Sequence, residues 1–598
     1  MLYDAINVFE KKLNFVAEQW QAAGGGDTEQ ERRTKLLVDN YVPKDGTYVL
    51  INMDRHFQCA DVFDIKYDKK SGELRGKTQE NYNYVRYLDY NSKLIEMNKP
   101  IDAKKVIHSN QMFSFWIKKD SLVEKKLTEE VISGYYKILC APEVKYTKTE
   151  AGKLYRQAVT ELGEPDRDTI SQIEIWIKGW LANPQILPVD LSGKDYLKLF
   201  FVYDDEKKTK ELFERENMRY VIPNIYNNND YNVKSNGQIL GMPSNNMGLN
   251  AKKPFLENKN RKTPAPYLID MERVMLQSQF FDYLWGYACK GAVNVYVDFE
   301  NEDILAIPDK GEKVPNIRNG LYLRLKKGKE VEILESDVVL DSSPNLPRAF
   351  YFKKILNTVG DDKKYGEYTE TAQLAAVVDD VFFDKYLGFN YFTEPMELPQ
   401  MDGGLKYILL TYRSRLFAWL YRTPKCDIGQ LLSEMAVKLM KNKIAGGKFA
   451  RAGVQLNLLL SLEDYLNNDK EKEELMGTIQ EDFKVHIDMQ EEWEFSDREY
   501  YYAVGQMVGY FLSLSKSAKK PFSMANQFLN ADSDSLIKEK LCHMFVRYDH
   551  AIDFKIDTRA KNVINHILLY EPACDKVMQR ELIAGLTANS AFYMKKEQ

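Results

Sequence analysis

Six cysteines and six histidines in 598 residues leave little material for a metal centre. The cysteines, Cys59, Cys140, Cys289, Cys426, Cys542 and Cys574, stand far apart and form no CxxC pair. That excludes ribbon-type zinc sites and thioredoxin-type dithiols, and the thiols read as the reduced ones of a cytoplasmic protein. No apolar run approaches the roughly 20 residues of a membrane-spanning helix, so no membrane partner is expected. The opening stretch, MLYDAINVFEKKLNFVAEQW, is amphipathic and carries acids. It lacks the basic start, apolar centre and small-residue cleavage site of a signal peptide. The HExxH, GxSxG, Walker A and GxGxxG patterns are missing, and nothing commits a nucleophile, a base and an orienting group together.

What titratable material there is supports chemistry only weakly. The histidines are His56, His108, His486, His543, His550 and His566. His543 and His550 share a face if one helix runs through both, and with His566 and Asp549 or Asp553 they would make a metal site. The acidic run VVDDVFFD, holding Asp379, Asp380 and Asp384, has carboxylates suited to Mg²⁺. Both patterns are commoner as packing residues and solvated faces, so no metal, no cofactor and no catalytic residue is expected. A metal-dependent nuclease built on these groups stands as the alternative to a binding protein, and a scaffold that bridges partners without touching target DNA is a third reading.

Charge carries more information. The net charge is −5. From Gly403 to Arg451, however, ten basic residues face only Asp427 and Glu434, a local balance of +8. They are Lys406, Arg413, Arg415, Arg422, Lys425, Lys438, Lys441, Lys443, Lys448 and Arg451. Between Tyr231 and Ile269 the balance is +5. Two basic islands in an acidic chain mark localised surfaces for anionic ligands. In the 403–451 island the cations alternate with Tyr407, Tyr412, Phe417, Trp419 and Tyr421. Cations neutralise phosphates and aromatic faces stack on unpaired bases. Each ring taken singly reads more readily as core.

The expected fold class is α+β. Over residues 1–426 helix and strand signals mix. TYVLINMD, YLKLFFVYD, AVNVYVDF, DILAIP and GLYLRLKKGKEVEIL read as strands. TEEVISGYYKILCA and ISQIEIWIKGWLAN have helical spacing. DMERVMLQSQFFDYLWGYACKG reads as a helix capped by Asp270 and stopped by Gly291. KYILLTYRSRLFAWLYR reads as a strand that turns into a helix. From Asp427 to Gln598 apolar residues recur at three- and four-residue spacing, as in Leu431, Met435 and Leu439, which predicts a helical bundle. A long loop is expected over 223–267. Its stretch GMPSNNMGLNAKKPFLENKNRKTPAPYL is rich in Asn, Lys and Pro and contains one acid, Glu257.

That stretch, extended to LGMPSNNMGLNAKKPFLENKNRKTPAPYLI and followed by an apolar helix, resembles the large subunit of the type I-B CRISPR Cascade complex (the Cas8b-type family). YAVGQMVGYFLSLSKS and LIAGLTANSAFYMKKE near the C-terminus resemble it too. The similarity spans the full chain in length and in the order of its regions. Members often carry paired CxxC motifs, which are missing here, so zinc is not expected.

The resemblance implies a non-catalytic subunit that recognises the short PAM duplex, helps to open it into an R-loop and supports recruitment of the helicase-nuclease. Implied partners are the guide RNA, the double-stranded target and its displaced strand, the backbone and handle-binding subunits, and the small subunit. On this reading Asn245, Asn246 and Asn250 present donor–acceptor amides to groove edges, while Lys252, Lys253, Lys259, Arg261 and Lys262 hold phosphates. Asn110 and Gln111, in HSNQMFSFWIKKD, share the amide-plus-lysine composition and are the next candidates. Lys406, Arg413, Arg415, Arg422, Lys438, Lys441, Lys443, Lys448 and Arg451 are expected to line a nucleic-acid backbone. In some type I systems the small subunit is made by internal translation of the same gene. Met435, Met476 and Met489 are candidate starts, the later pair preferred because a free copy must stack without the junction to the mixed region.

Overall fold

The N-terminal segment is a 21-residue helix, α1 (Leu2–Ala22), which turns its Ala5, Ile6, Val8, Phe9 and Leu13 stripe inward. This computed structural model describes residues 2–68, 74–147, 149–244, 267–308, 314–328, 330–358, 365–467, 470–488, 494–515, 522–552 and 558–594. The chain forms an α+β fold of two compact units. One comprises Met1–Asp309 with Gly320–Asp337, the other Lys310–Asn319 with Val338–Gln598. The second unit thus starts well before Asp427, where the sequence becomes uniformly helical.

In the first unit α1 is followed by α2 (Glu29–Asn40), β1 (Gly46–Asn52), β2 (Gln58–Tyr67), β3 (Leu74–Arg75) and α3 (Tyr82–Tyr90). Next come β4 (Ser114–Lys118), α4 (Lys119–Val123), α5 (Glu129–Cys140), α6 (Thr149–Leu162), α7 (Arg167–Ala182), β5 (Tyr196–Val202) and α8 (Glu206–Asn224). The five strands form one sheet in the order β3-β2-β1-β5-β4. β1 and β5 run parallel at its centre, and the outer pairings are antiparallel. A strand covered on both faces needs an unbroken apolar run rather than alternation. TYVLIN and LKLFFV supply it, and every residue of β1 is buried. Thr128, Asp166 and Asp205 each accept a backbone N–H at the start of the helix that follows, satisfying groups the first turn leaves open.

After α8 the hairpin β6 (Val233–Ser235) and β7 (Gln238–Leu240) precedes α9 (Met271–Cys289). A four-stranded sheet in the order β11-β10-β8-β9 follows, from β8 (Asn294–Asp298), β9 (Asp303–Ile307), β10 (Ile317–Lys327) and β11 (Val331–Ser342). Among the described residues of the first unit, α1 packs on β8 and β9 and α2 packs on α9.

The second unit contains the hairpin β12 (Asn345–Phe352) and β13 (Gly366–Glu370), then α10 (Thr371–Phe383), α11 (Gly403–Tyr421), α12 (Gly429–Ala445) and α13 (Phe449–Asn467). It continues through α14 (Lys470–His486), α15 (Asp497–Ser513), α16 (Asn526–Leu529), α17 (Asp534–Tyr548), α18 (Thr558–Leu569) and α19 (Gln579–Thr587). The expected bundle over 427–598 is therefore present, in company with α10, α11 and a hairpin. KYILLTYRSRLFAWLYR is helical throughout, against the expected strand. Asp402 caps that helix, and Leu405, Ile408, Leu409, Tyr412, Leu416 and Trp419 recur at helical spacing on its buried side. In LIAGLTANSAFYMKKE the α-helix α19 stops at Thr587 and Ala591–Tyr593 form a single 3-10 turn.

Candidate nucleic-acid interface

The basic, Asn-rich stretch of the first unit springs from a closed root. Gly241 and Ile269 exchange both backbone hydrogen bonds, at 2.9 and 3.0 Å. A second rung follows: Tyr226 bridges Pro243, and the amide of Asn227 donates to the Met242 carbonyl at 2.8 Å. Met242 is buried, and the Tyr226 hydroxyl donates to the Ile239 carbonyl at 2.8 Å. The 239–243 strand of the root is therefore tied to the residues just after α8, and Ile269 is held through Gly241. Asp270 caps α9 through the Arg273 amide at 2.9 Å, as its position in the sequence predicts, and the Arg273 guanidinium reaches Asn7 and Glu10 on α1.

The expected loop over 223–267 is shorter than the sequence suggests. Residues 223 and 224 close α8, and β6 and β7 form a hairpin whose tip is Asn236-Gly237. Both tip residues have positive φ, 49° and 83°, the combination a two-residue hairpin turn requires and an Asn-Gly pair adopts readily. That pair was the available signal. Lys234, Asn236 and Gln238 are exposed on this hairpin. A cleft of about 680 Å³ opens beside it, lined by Lys153, Gln157, Lys234, Gln238 and Arg273 and by three acids, Glu150, Asp270 and Glu272. Asn245, Asn246, Asn250, Lys252, Lys253, Lys259, Arg261 and Lys262 lie outside the described residues.

Asn110 and Gln111 are not groove readers. Both are buried. Asn110 Nδ2 donates to the Lys93 carbonyl at 2.7 Å and to Asn217 Oδ1 at 2.8 Å. Gln111 Nε2 donates to the carbonyls of Asn91 at 2.8 Å and Phe213 at 3.2 Å. Their NH2 groups are engaged by acceptors inside the first unit, while Asn110 Oδ1 and Gln111 Oε1 are enclosed without a hydrogen-bond partner among the described residues.

The basic island of the second unit divides in two. Arg413, Arg422 and Lys443 are internal ties, not the nucleic-acid backbone contacts expected of them. Arg413 Nη1 donates to the carbonyls of Asn390 and Thr393 at 2.8 and 2.6 Å. Arg422 is buried with its guanidinium 5.7 Å from the centre of the Phe417 ring, and Lys443 is buried in an ion pair with Asp384. Arg451 is half-buried, with its Nη1 enclosed and unpartnered. The rest face solvent wholly or in part: Lys406 and Arg415 on α11, Lys438 and Lys441 on α12, and Lys448 beyond it.

Lys438 lies over the Tyr412 ring, 5.2 Å from its centre, and donates to the Tyr412 hydroxyl at 2.7 Å, which holds the ammonium above the usual lysine value. Tyr407, 66% exposed, lies within electrostatic reach of Lys438. Of the five interleaved aromatics, Tyr412, Phe417 and Trp419 are buried and Tyr421 is half-buried. Tyr407 alone among them is largely exposed to solvent. Lys406, Tyr407, Arg415, Lys438, Lys441 and Lys448 thus form the accessible part of the island.

The carboxylates weighed for a metal have other work. Asp379 accepts the amides of Leu387 and Gly388 at 2.6 and 3.0 Å, and burial raises its carboxyl above the usual range. Asp384 pairs with Lys443, and Asp380 lies 3.9 Å from Lys385. α17 ends at Tyr548, so His543 and His550 do not share one α-helix. His566 Nδ1 contacts the Asn562 carbonyl of its own helix at 2.8 Å. Among the described residues no group of three or more His, Cys, Asp or Glu converges as a metal site, and no helix is long and apolar enough to cross a membrane.

No protein-family model, curated protein or solved structure matches this chain.

Proposed function

We propose that the chain is the large, non-catalytic subunit of a type I-B CRISPR interference complex, which reads the PAM duplex, helps to start the R-loop and supports recruitment of the helicase-nuclease. The observation that carries the reading is the clamped root: paired backbone bonds between Gly241 and Ile269 close the Asn- and Lys-rich segment where it leaves the scaffold. A rooted segment of amides and cations is suited to entering a groove. Its amides pair with base edges and its lysines with phosphates. The accessible α11–α12 cations with Tyr407 support a second contact, to the paired or displaced strand. Guide RNA, target duplex, backbone and handle-binding subunits, small subunit and helicase-nuclease are its partners on this reading, and the cytoplasm its place.

The test is duplex binding by the assembled complex, with and without a PAM, for wild type and for N245A/N246A/N250A. The variant is expected to lose PAM discrimination, each missing bidentate amide–base pairing costing roughly 1–3 kcal/mol, while non-specific binding persists. Equal discrimination by variant and wild type overturns the role of these amides. Equal binding with and without a PAM by the wild-type complex overturns the reading itself.

A further inference from the structure

Five basic side chains far apart in the sequence meet at one surface of the first unit. Lys290, at the C-terminal end of α9, donates to Asn40 Oδ1 at 2.8 Å. Arg86 on α3 pairs at 2.7 Å with Asp39, the chain neighbour of Asn40. Lys327, the last residue of β10, lies over the Tyr67 ring, 5.9 Å from its centre, and its charge acts on the thiol of Cys289, next to Lys290. Lys44, in the turn before β1, lies 5.4 Å from the centre of the Tyr196 ring and interacts with Cys289 as well. Lys77, between β3 and α3, acts electrostatically on Lys290.

Acids do not balance them. Asp39 is shared between Arg86 and Lys35. Asp45 accepts the Tyr67 amide at 2.8 Å, and Asp89 is buried with Lys198. Among the described residues Lys44, Lys77, Lys290 and Lys327 have no ion pair. Lys11 and Lys12 of α1, by contrast, pair with Glu302 and Asp303. Burial first, then the charge of Arg86, pull the Lys290 ammonium below the usual lysine range; Asp39 pulls it up and Lys77 adds a smaller downward push. Crowded cations without counter-charge oppose folding by mutual repulsion, and a bound polyanion relieves it.

We infer that Lys44, Lys77, Arg86, Lys290 and Lys327 form a phosphate-binding surface for the sugar-phosphate backbone of nucleic acid, distinct from the Asn- and Lys-rich segment and from the α11–α12 cations. This rests on the nucleic-acid reading above for the choice of ligand. An anionic bilayer fits less well. It is bound by amphipathic helices or polybasic runs, whereas these cations come one by one from separate segments of the fold: a helix end, a strand end, two turns and the middle of α3. Tyr67, beside Lys327, adds a ring on which an unpaired base can stack.

The experiment is fluorescence anisotropy of the purified full-length chain with labelled single-stranded DNA, RNA and duplex DNA of fixed length across a salt series. K44S/K290S/K327S is compared with wild type and with K44R/K290R/K327R. The three side chains reach the surface and form no ion pair among the described residues, although the Lys44 and Lys290 ammonium groups are partly enclosed, so the serine variant is expected to melt close to wild type, and its melting curve is recorded beside that of the arginine variant. It is expected to bind roughly tenfold or more weakly, with a salt slope shallower by about 0.9 for each duplex phosphate no longer neutralised, or about 0.7 on single strands. The arginine variant is expected to bind as wild type does. Equal affinity of serine variant and wild type, or no binding of any probe by wild type, overturns the inference. So does binding to phosphatidylserine vesicles that the serine changes abolish while oligonucleotide affinity stays. Failure of the large-subunit reading shows separately, as PAM-independent binding by the assembled complex.

Discussion

The carbonyl oxygen of Tyr502 occupies the space where a side chain on Gly585 would begin: a Cβ placed on Gly585 lies 1.9 Å from it. On the facing helix a Cβ on Gly505 would lie 2.2 Å from the Leu582 carbonyl oxygen. α15 and α19 therefore cross backbone to backbone. Gln506 fastens the crossing, donating to the Gly585 carbonyl and accepting the Ala591 amide at 2.9 Å. These residues lie in the two C-terminal stretches that carry the family resemblance, and the geometry gives their pattern a packing reason.

Gly585→Ala and Gly505→Ala are accordingly expected to destabilise the protein by about 3 kcal/mol or more, at the upper end of overpacking costs, because backbone cannot step aside as a side chain can. Gly134→Ala in α5 is the contrast: nothing lies within 4 Å of its Cβ position. That change is expected to stabilise by about 0.5–1 kcal/mol through reduced unfolded-state freedom. Denaturant titration of the three variants checks both signs, and equal effects at Gly134 and Gly585 would falsify the close crossing.

Lys198 and Asp89 form a fully buried ion pair in the first unit. The ammonium lies 3.8 Å from the centre of the Trp116 ring, and the Tyr41 hydroxyl donates to the second carboxylate oxygen at 2.7 Å. Lys198→Met alone strands a buried carboxylate and is expected to cost roughly 3–5 kcal/mol; K198M/D89L, which removes both charges, is expected to cost much less. Burial pulls the Lys198 ammonium down to about 8 against the upward pull of Asp89. The unfolded chain then holds more protons than the folded one between that value and the ordinary 10.5, so this group's contribution to stability rises with pH across the window. Wild type minus double variant should show a positive slope of up to about 1.4 kcal/mol per pH unit. A flat or negative difference would contradict the assignment.

Arg413 and Lys438 make opposite predictions. Arg413→Ala frees two carbonyls in the loop after α10 and is expected to cost about 3 kcal/mol of stability, since hydrogen bonds from a charged donor contribute roughly 1.5–3 kcal/mol each. Reversing Lys438, Lys441 and Lys448 to Glu should leave thermal stability near wild type and reduce stable R-loop formation more than initial PAM binding. Melting curves and R-loop footprinting on the same preparations separate the two, and equal thermal loss for both would place Lys438 among the internal ties.

Starts within α14 or after it are disfavoured by the packing of the second unit, contrary to the preference for Met476 and Met489. α13 buries Leu456, Leu458, Leu459, Leu460 and Leu462, and α12 and α13 both pack on α19. A chain beginning at Met476 lacks both helices and exposes the apolar side of α19. The fragment 427–598 is expected to unfold cooperatively and the fragment 476–598 to aggregate or bind a hydrophobic dye. Cooperative unfolding of the shorter fragment would overturn this.

How much of this was legible depends on the residue. β1 and β5 announce themselves through unbroken apolar runs, and α9 through its Asp270 cap. α11 was misjudged because Tyr407, Ile408 and Tyr412 suit a strand locally, while the three- and four-residue recurrence that fixes a helix emerges only over its full length. Asn110 and the Asn residues of the 245–250 stretch have the same chemistry on paper. Only the backbone carbonyls around Asn110 reveal that its amide is already engaged. Arg413 and Lys438 likewise differ in partners, not in type. The Lys44–Lys327 surface was invisible for another reason: its members are spread from residue 44 to residue 327, and only folding collects them.

The Gly241–Ile269 closure uncouples sequence length from stability. With Gly241 and Ile269 held by paired backbone bonds, the entropic cost of closing whatever length of chain joins them grows only with the logarithm of that length. Doubling such a segment costs about 0.6 kcal/mol. A lineage could therefore lengthen, shorten or wholly rewrite it under pressure from changing DNA targets, while α8, the hairpin and α9 kept their register. The root is a socket, and what is plugged into it can evolve at a different rate from the protein that carries it.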